Sequence, residues 1–486
     1  MAEVLFTHSY FYRFDPKQWK AKQPYPPLGT IQAAAVVRQK KISVSLFDTN
    51  LRESPDEIRD SLRKEAPKYL VIYDDGFNYL TKMCLTNMRE AAFRMAHIGK
   101  EFGCTVVVCS SDSTDHYEMY FDQGVDYVVR GEGEETLTEL LTTLNTNGSC
   151  DSIAGLAYRI KGKTHVAPSR AVLRDLDVLP LPAWDLVNID EYKNIWLNAH
   201  GYFSMNLATT RGCPFKCNWC AKPIYGNRYH SRSPRHVMDE IELLLKTYQP
   251  HHFWMSDDIF GLKPGWVQEF NQLAAARNLK FKYKIQSRVD LLLQEETIQA
   301  LSQSGAETIW VGAESGSQKI LDAMDKGTTV NQIYDATRLL KQHNIRVGFF
   351  LQFGYLGENR NDIDDTIKMV LDLMPDEIGI SVSYPLPGTG FYEKVRGQMT
   401  EKQNWSDSND LAMMFEGTFS KSFYRELHRY VHSVYAKKRG VNSLTKLIRN
   451  PWRLTYKDVR SGLATLYYLP AAVVQRQTLK QLAPGT

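Results

Sequence analysis

The chain has 486 residues and a mass of 55.8 kDa, too long for one compact core and suited to two or three domains. Apolar residues at 43% and charged residues at 23% argue against wholesale disorder, and no apolar run attains the roughly 18 residues of a membrane-spanning helix. The net charge of +4 hides a split: from Lys421 onward there are 13 Lys and Arg against two acidic residues, while the first 420 residues carry 46 basic and 53 acidic ones.

The N-terminus, MAEVLFTHSY, lacks a basic start followed by a long apolar stretch, so no secretory signal is expected. Over residues 1–148 short apolar runs alternate with helical stretches. EVLFTH from Glu3, ISVSLFD from Ile42, KYLVIYDD from Lys68, CTVVVCSS from Cys104 and VDYVVRG from Val125 predict five strands. The Ala-rich GTIQAAAVVRQ and a long helix from about Tyr79 to Phe102 lie between them. The pattern predicts a doubly wound parallel α/β sheet, whose ligands sit beyond the carboxyl ends of the strands. Those ends are Thr7–His8, Asp48, Asp74–Asp75–Gly76, Ser110–Ser111 and Gly131–Glu132–Gly133.

Residues 149–200 predict a hairpin, GLAYRIKGKTHVA, and then an extended linker stiffened by Pro168, Pro180 and Pro182. Residues 201–400 hold a second alternating series, with strands FSMNLAT, HFWMSDD, FKYKIQS, ETIWVGAES, VGFFLQFGY and EIGISVSYP. Successive βα units of this kind predict a partial (β/α)6 TIM-type barrel, with its functional groups after the strands. Residues 401–486 predict a basic, helical C-terminal region.

Seven cysteines are odd in number and sparse for the length, which speaks against a disulfide scaffold and for a reducing cytoplasm. TTRGCPFKCNWCAKP places Cys213, Cys217 and Cys220 as C-x₃-C-x₂-C directly after the first barrel strand, in a loop with Gly212 and Pro214. Such a loop can turn three thiolates toward one centre, and thiolates suit zinc or iron–sulfur clusters. His230 and His236 are near enough in sequence to make a Cys₃His zinc site the alternative. A cluster on three cysteines leaves one iron open to chelate an amine and a carboxylate. Cys84, Cys104, Cys109 and Cys150 lack cluster spacing and are expected to be core thiols.

C-x₃-C-x-aromatic-C, with Trp219 as the aromatic, at the first strand of a βα barrel resembles the radical S-adenosylmethionine superfamily. The resemblance implies a 4Fe–4S cluster on Cys213, Cys217 and Cys220, with S-adenosylmethionine on its open iron. The implied S-adenosylmethionine contacts are Trp219, Asp257 and Asp258 in MSDD, Arg288 in KIQSRVD, Glu314 and Ser315 in WVGAESGS, and Pro387 in YPLPGT. Arg288 suits a bidentate grip on the methionine carboxylate.

A flavodoxin-like (Rossmann-like) domain ahead of such a barrel resembles the cobalamin-binding members of that superfamily. The implied cobalamin contacts are Pro26, Leu28, Gly29 and Thr30 in YPPLGT, Asp74 and Asp75 in DDGF, Ser110 and Ser111 in CSSD, and Gly131, Glu132, Gly133 and Glu134 in RGEGEET. The D-x-H-x-x-G motif that brings a histidine to cobalt in mutase-type proteins is missing, since Asp115 and His116 are adjacent. The resemblance therefore implies cobalamin with its nucleotide tail displaced and no histidine on cobalt. It implies an enzyme served by a one-electron donor such as flavodoxin or ferredoxin. The expected reaction is methylation of an unactivated carbon, through methylcobalamin and a 5′-deoxyadenosyl radical, on a small-molecule or lipid substrate. A non-methylating rearrangement or cyclisation is the enzymatic alternative. A cobalamin- or redox-responsive binding protein with a structural cluster is the alternative from another class.

The basic region combines its cations with Trp452, Tyr467, Tyr468 and LATLYYLPAAVV. A solvated basic face is the default for such a run; peripheral membrane contact is the functional alternative. No nucleic-acid partner is expected, because no recognised module accompanies the charge.

Overall fold

The computed structural model describes the chain except residues 84, 221–224, 403, 450–454 and 484–486. Cys84, expected as a core thiol, and Trp452, expected as an anchor, lie outside the described residues.

The first sheet contains β1 (Val4–Thr7), β2 (Val44–Phe47), β3 (Tyr69–Tyr73), β4 (Thr105–Cys109) and β5 (Tyr127–Val129), parallel in the order β2-β1-β3-β4-β5. This is the flavodoxin order. The strand residues alternate between two cores. Val4, Phe6, Val71 and Tyr73 meet the helices Leu28–Gln39 and Glu134–Asn145 on one face, while Leu5, Leu70 and Ile72 meet the helix Thr86–Glu101 on the other.

Two local expectations change. The single helix expected from Tyr79 to Phe102 is two, Tyr79–Lys82 and Thr86–Glu101. Its middle makes contacts outside the helix: Tyr384 donates to the Met83 carbonyl at 3.2 Å, and the Thr86 amide donates to the Trp405 carbonyl at 2.9 Å. The hairpin expected in the linker, β6 (Leu156–Ile160) and β7 (Lys163–Val166), instead extends the first sheet antiparallel to β5. The later linker is packed too, with Trp184, Tyr192 and Trp196 buried against the barrel.

The second sheet is six parallel strands in consecutive order: β8 (Ser204–Leu207), β11 (His252–Met255), β12 (Lys282–Ser287), β13 (Ala306–Glu314), β14 (Arg346–Phe353) and β15 (Glu377–Val382). Between β8 and β11 a two-stranded ribbon pairs β9 (Thr210–Arg211) with β10 (His230–Ser231). The C-terminal region is a helical hairpin, Lys421–Arg449 and Tyr456–Leu482; Phe423, Tyr424, Leu427 and Val431 of the first helix are buried in the barrel's core cluster.

Where that first helix meets β14, Glu358 is fully buried. One of its oxygens accepts the Gly354 amide at 2.6 Å, while its other oxygen has no partner among the described residues. Burial lifts this carboxyl from its ordinary 4.5 to about 8. The fold thus favours the protonated form, whose contribution is complete below the unfolded pKa and is lost as pH rises through about 8. Between those limits the slope is about 1.4 kcal/mol per pH unit. Glu358→Gln is expected to remove it, so urea unfolding should show a variant whose advantage over the wild type grows with pH. A constant difference would clear Glu358 of the role.

Candidate active site

The loop 212–229 leaves β9 and returns on β10, so the ribbon closes its base. Gly212 makes the exit at φ +80°, and a Cβ there would collide with the Arg228 carbonyl. The loop carries Cys217 buried and Cys213 and Cys220 partly buried. Burial raises the Cys213 thiol and pushes Cys220 up to about 12, and the thiols' negative neighbours, Asp258 among them, add to both. The three sulfurs therefore share one electrostatic neighbourhood. Among the described residues no three His, Cys, Asp or Glu side chains already stand at metal-binding geometry.

Arg288, after β12, lies beside the thiols: its Nη1 is 3.8 Å from Cys217 Sγ, its guanidinium sits 3.7 Å above the Phe215 ring, and Asp290 holds its Nε at 3.0 Å. Glu314, the last residue of β13, has φ +55° and binds the Lys326 ammonium at 2.7 Å. A bulky residue in the left-handed region is strained, and such strain gathers at ligand sites. Lys326 in turn stands 5.8 Å from the centre of the Trp219 ring, and the buried Trp219 Nε1 has no acceptor among the described residues. Ser315 is tied to Thr366 at 3.1 Å, and Pro387 is exposed in the loop after β15.

The two aspartates after β11 have different partners. Asp257 accepts the Thr209 amide and hydroxyl at 2.7 and 2.6 Å and the Thr210 amide at 2.8 Å, and burial raises it to about 6. It braces the turn that launches the cysteine loop. Asp258 instead meets Lys82 of the N-terminal domain at 2.6 Å. Of the two histidines in the zinc alternative, His236 has its Nδ1 3.2 Å from Asp177.

Asn218, which sequence reasoning passed over, stitches the loop to three others. Its amide donates to the Met324 carbonyl at 3.0 Å, its side chain to Asp325 at 2.6 Å, it accepts Tyr355 Oη at 2.6 Å, and its carbonyl accepts the Phe391 amide at 2.8 Å. Its place between Cys217 and Trp219 was visible, but its distant partners left no trace in the spacing.

The N-terminal domain faces this loop with the carboxyl edge of its sheet. Asp74 accepts the Ser9 amide at 2.7 Å; Asp75 accepts the amides of Gly29 at 3.0 Å and Phe77 at 2.9 Å; Thr30 donates to the Tyr73 carbonyl at 2.6 Å. Burial raises Asp74 to about 6. Ser110 caps the helix that Ser111 begins, and Gly131 donates to Thr114 at 3.3 Å. Gly133 packs so closely that a Cβ would meet Cys109 Sγ at 2.6 Å. Glu132 and Glu134 both bind Arg211, the residue before Gly212, and the Glu134 pair is 2.7 Å. The GEGE turn therefore holds the root of the cysteine loop, while Glu134 Oε2 is buried without a partner among the described residues.

Between the domains lies a cavity of about 270 Å³. Pro26 and Asp75 line it, as do Asn206, Trp254 and Lys284 of the barrel, whereas Leu28 lines a smaller neighbouring pocket. The Lys284 ammonium stands 5.3 Å from both the Tyr25 and Trp254 rings, burial lowers its pKa, and Asn206 Oδ1 is buried without a donor among the described residues. A buried amine and an orphaned acceptor in an aromatic wall fit a ligand with polar groups.

A model of the radical SAM superfamily matches residues 207–370. An uncharacterized methyltransferase of Pyrococcus horikoshii is 28% identical over 452 residues, covering 91% of this chain and 94% of that protein. The anaerobic magnesium-protoporphyrin IX monomethyl ester cyclase of Cereibacter sphaeroides is 30% identical over 282 residues, which span 57% of this chain and 45% of the cyclase. The fold is similar to that of the cobalamin-dependent S-adenosylmethionine radical enzyme OxsB with aqua-cobalamin bound, at TM-score 0.76 and 15% identity, over 100% of this chain and 74% of that one. Residues 207–370, which hold the three-cysteine loop and the strands β11 to β14, are thus the part of the chain that matches the radical SAM superfamily.

Proposed function

We propose that this enzyme holds a 4Fe–4S cluster on Cys213, Cys217 and Cys220, S-adenosylmethionine beside it and cobalamin between its two domains, and that it methylates an unactivated carbon of a small-molecule or lipid substrate. The observation that carries this reading is the placement of the cysteine loop against the carboxyl edge of a flavodoxin-order sheet, with a cavity between the two domains. When bound, the cluster and S-adenosylmethionine supply a radical and cobalamin supplies a methyl carrier.

The chain's own groups then position and enclose. Arg288 offers a planar pair of donors to a carboxylate next to Cys217. Trp219 Nε1 offers a donor, and Glu314 a carboxylate already oriented by Lys326. Pro26, Asp75, Asn206 and Lys284 line the space for the larger cofactor and the substrate. A flavodoxin or ferredoxin in the reducing cytoplasm is the fitting electron donor.

Methylation is favoured because the relative aligned over 91% of this chain is named a methyltransferase. The cyclase similarity supports a second reading, ring closure without net methylation. Anaerobic reconstitution followed by product analysis separates them. Methyl transfer is expected to release S-adenosylhomocysteine together with 5′-deoxyadenosine; cyclisation would release 5′-deoxyadenosine without the former. An intact cluster that yields no 5′-deoxyadenosine above background would overturn both in favour of a binding protein.

A further inference from the structure

The helix Tyr456–Leu482 has two faces that are both apolar. Its inner face places Thr465, Ala472 and Leu479, spaced by seven, against the helix Lys421–Arg449. The two helices run antiparallel and close: Lys446 binds Asp458 at 2.7 Å, and a Cβ on Gly440 would collide with Thr465. The outer face carries Val459, Leu463, Leu466, Tyr467, Val473 and Val474, all exposed. At 100° per residue these six positions fall within an arc of about 120°, which makes one stripe. Leu463 is 65% exposed, Leu466 78% and Tyr467 71%, so the stripe is uncovered rather than half-packed. Contiguous apolar surface of this kind marks an interaction site.

Charge identifies the partner. At 100° per residue, the exposed Arg460 and Arg476 fall on opposite borders of the stripe. They belong to a segment with 13 basic and two acidic residues from Lys421 onward. Two such segments would repel each other, whereas an anionic lipid surface complements the cations and accepts the apolar side chains. Among the described residues no helix is long and apolar enough to cross a membrane, so the helix would lie along the surface.

We propose that the outer face of the helix Tyr456–Leu482 docks the enzyme on an anionic bilayer, with Leu463, Leu466 and Val474 in the interface and Arg460 and Arg476 among the headgroups. The inference is independent of the reaction catalysed. The test is co-sedimentation of the full chain with vesicles of phosphatidylcholine alone or mixed with phosphatidylglycerol. Binding is expected on the mixed vesicles and to fall at least about tenfold in the triple variant Leu463→Ser, Leu466→Ser, Val474→Ser. A second variant, Arg460→Gln with Arg476→Gln, keeps every packed residue and is expected to weaken binding and flatten its salt dependence. Failure of the wild type to sediment with anionic vesicles would overturn the proposal. So would equal binding by both variants, or wild-type self-association in sedimentation velocity that the triple variant abolishes, since the stripe would then be an interface between copies.

Discussion

Cys217→Ala is expected to abolish the iron–sulfur absorbance of the anaerobically reconstituted protein and to bring 5′-deoxyadenosine formation down to background. Cys217 is the buried member of the trio, and Arg288 Nη1 stands 3.8 Å from its sulfur. A cluster held by two thiolates has two irons without a protein ligand, and the loop loses the metal that closes it. The control is Cys104→Ala. That thiol is buried in the N-terminal domain and donates to the Pro67 carbonyl at 3.3 Å, far in sequence and function from the loop. Its loss should cost about 1–3 kcal/mol of stability and leave the cluster and the cleavage reaction in place. Retained cleavage in Cys217→Ala would remove the cysteine loop from the chemistry; loss in both variants would make the first result a folding effect.

The strands of both sheets were legible because they follow from local runs. VLFT, YLVIY and TVVVC are apolar on both faces, as strands covered by helices on both sides must be. The cysteine loop was legible because its ligands lie within eight residues of one another. What sequence did not show was long-range pairing. The helix expected through Met83 breaks because Tyr384 and Trp405 make contacts there, some 300 residues along the chain. Asp257 reads as a ligand from its place after a strand, yet its oxygens are occupied by Thr209 and Thr210 of the preceding βα turn. Glu132 and Glu134 read as a ligand-facing turn for the same reason, and their partner, Arg211, lies in the other domain. Strand-end position locates a site, but only the partners show whether a side chain there is free to bind.

Arg211→Met is expected to be the most damaging substitution outside the cysteine loop, because it leaves two carboxylates buried without their cation. Arg211, Glu132 and Glu134 are each nearly or fully excluded from solvent, and the guanidinium also lies 5.7 Å from the Phe77 ring and 5.3 Å from the Tyr225 ring. Breaking a buried ion pair by removing one partner costs about 3–5 kcal/mol, whereas replacing all its members by neutral groups is far milder. Glu132 is already raised, by burial first and with Glu134 adding, against the downward pull of Arg211. Without Arg211 that carboxyl should rise further and take up a proton. The folded pKa then exceeds the unfolded one by more, so the variant keeps its stability below the ordinary carboxylate range and loses it as pH rises. Urea unfolding of Arg211→Met should therefore show a deficit of several kcal/mol near neutral pH that shrinks in acid. The triple variant Arg211→Met, Glu132→Gln, Glu134→Gln should recover most of it. Because Arg211 immediately precedes Gly212 and Cys213, the single variant should also reconstitute its cluster poorly while the triple variant regains assembly. A deficit under about 1 kcal/mol, or one independent of pH, would mean that the triad does not hold the cysteine loop to the first domain.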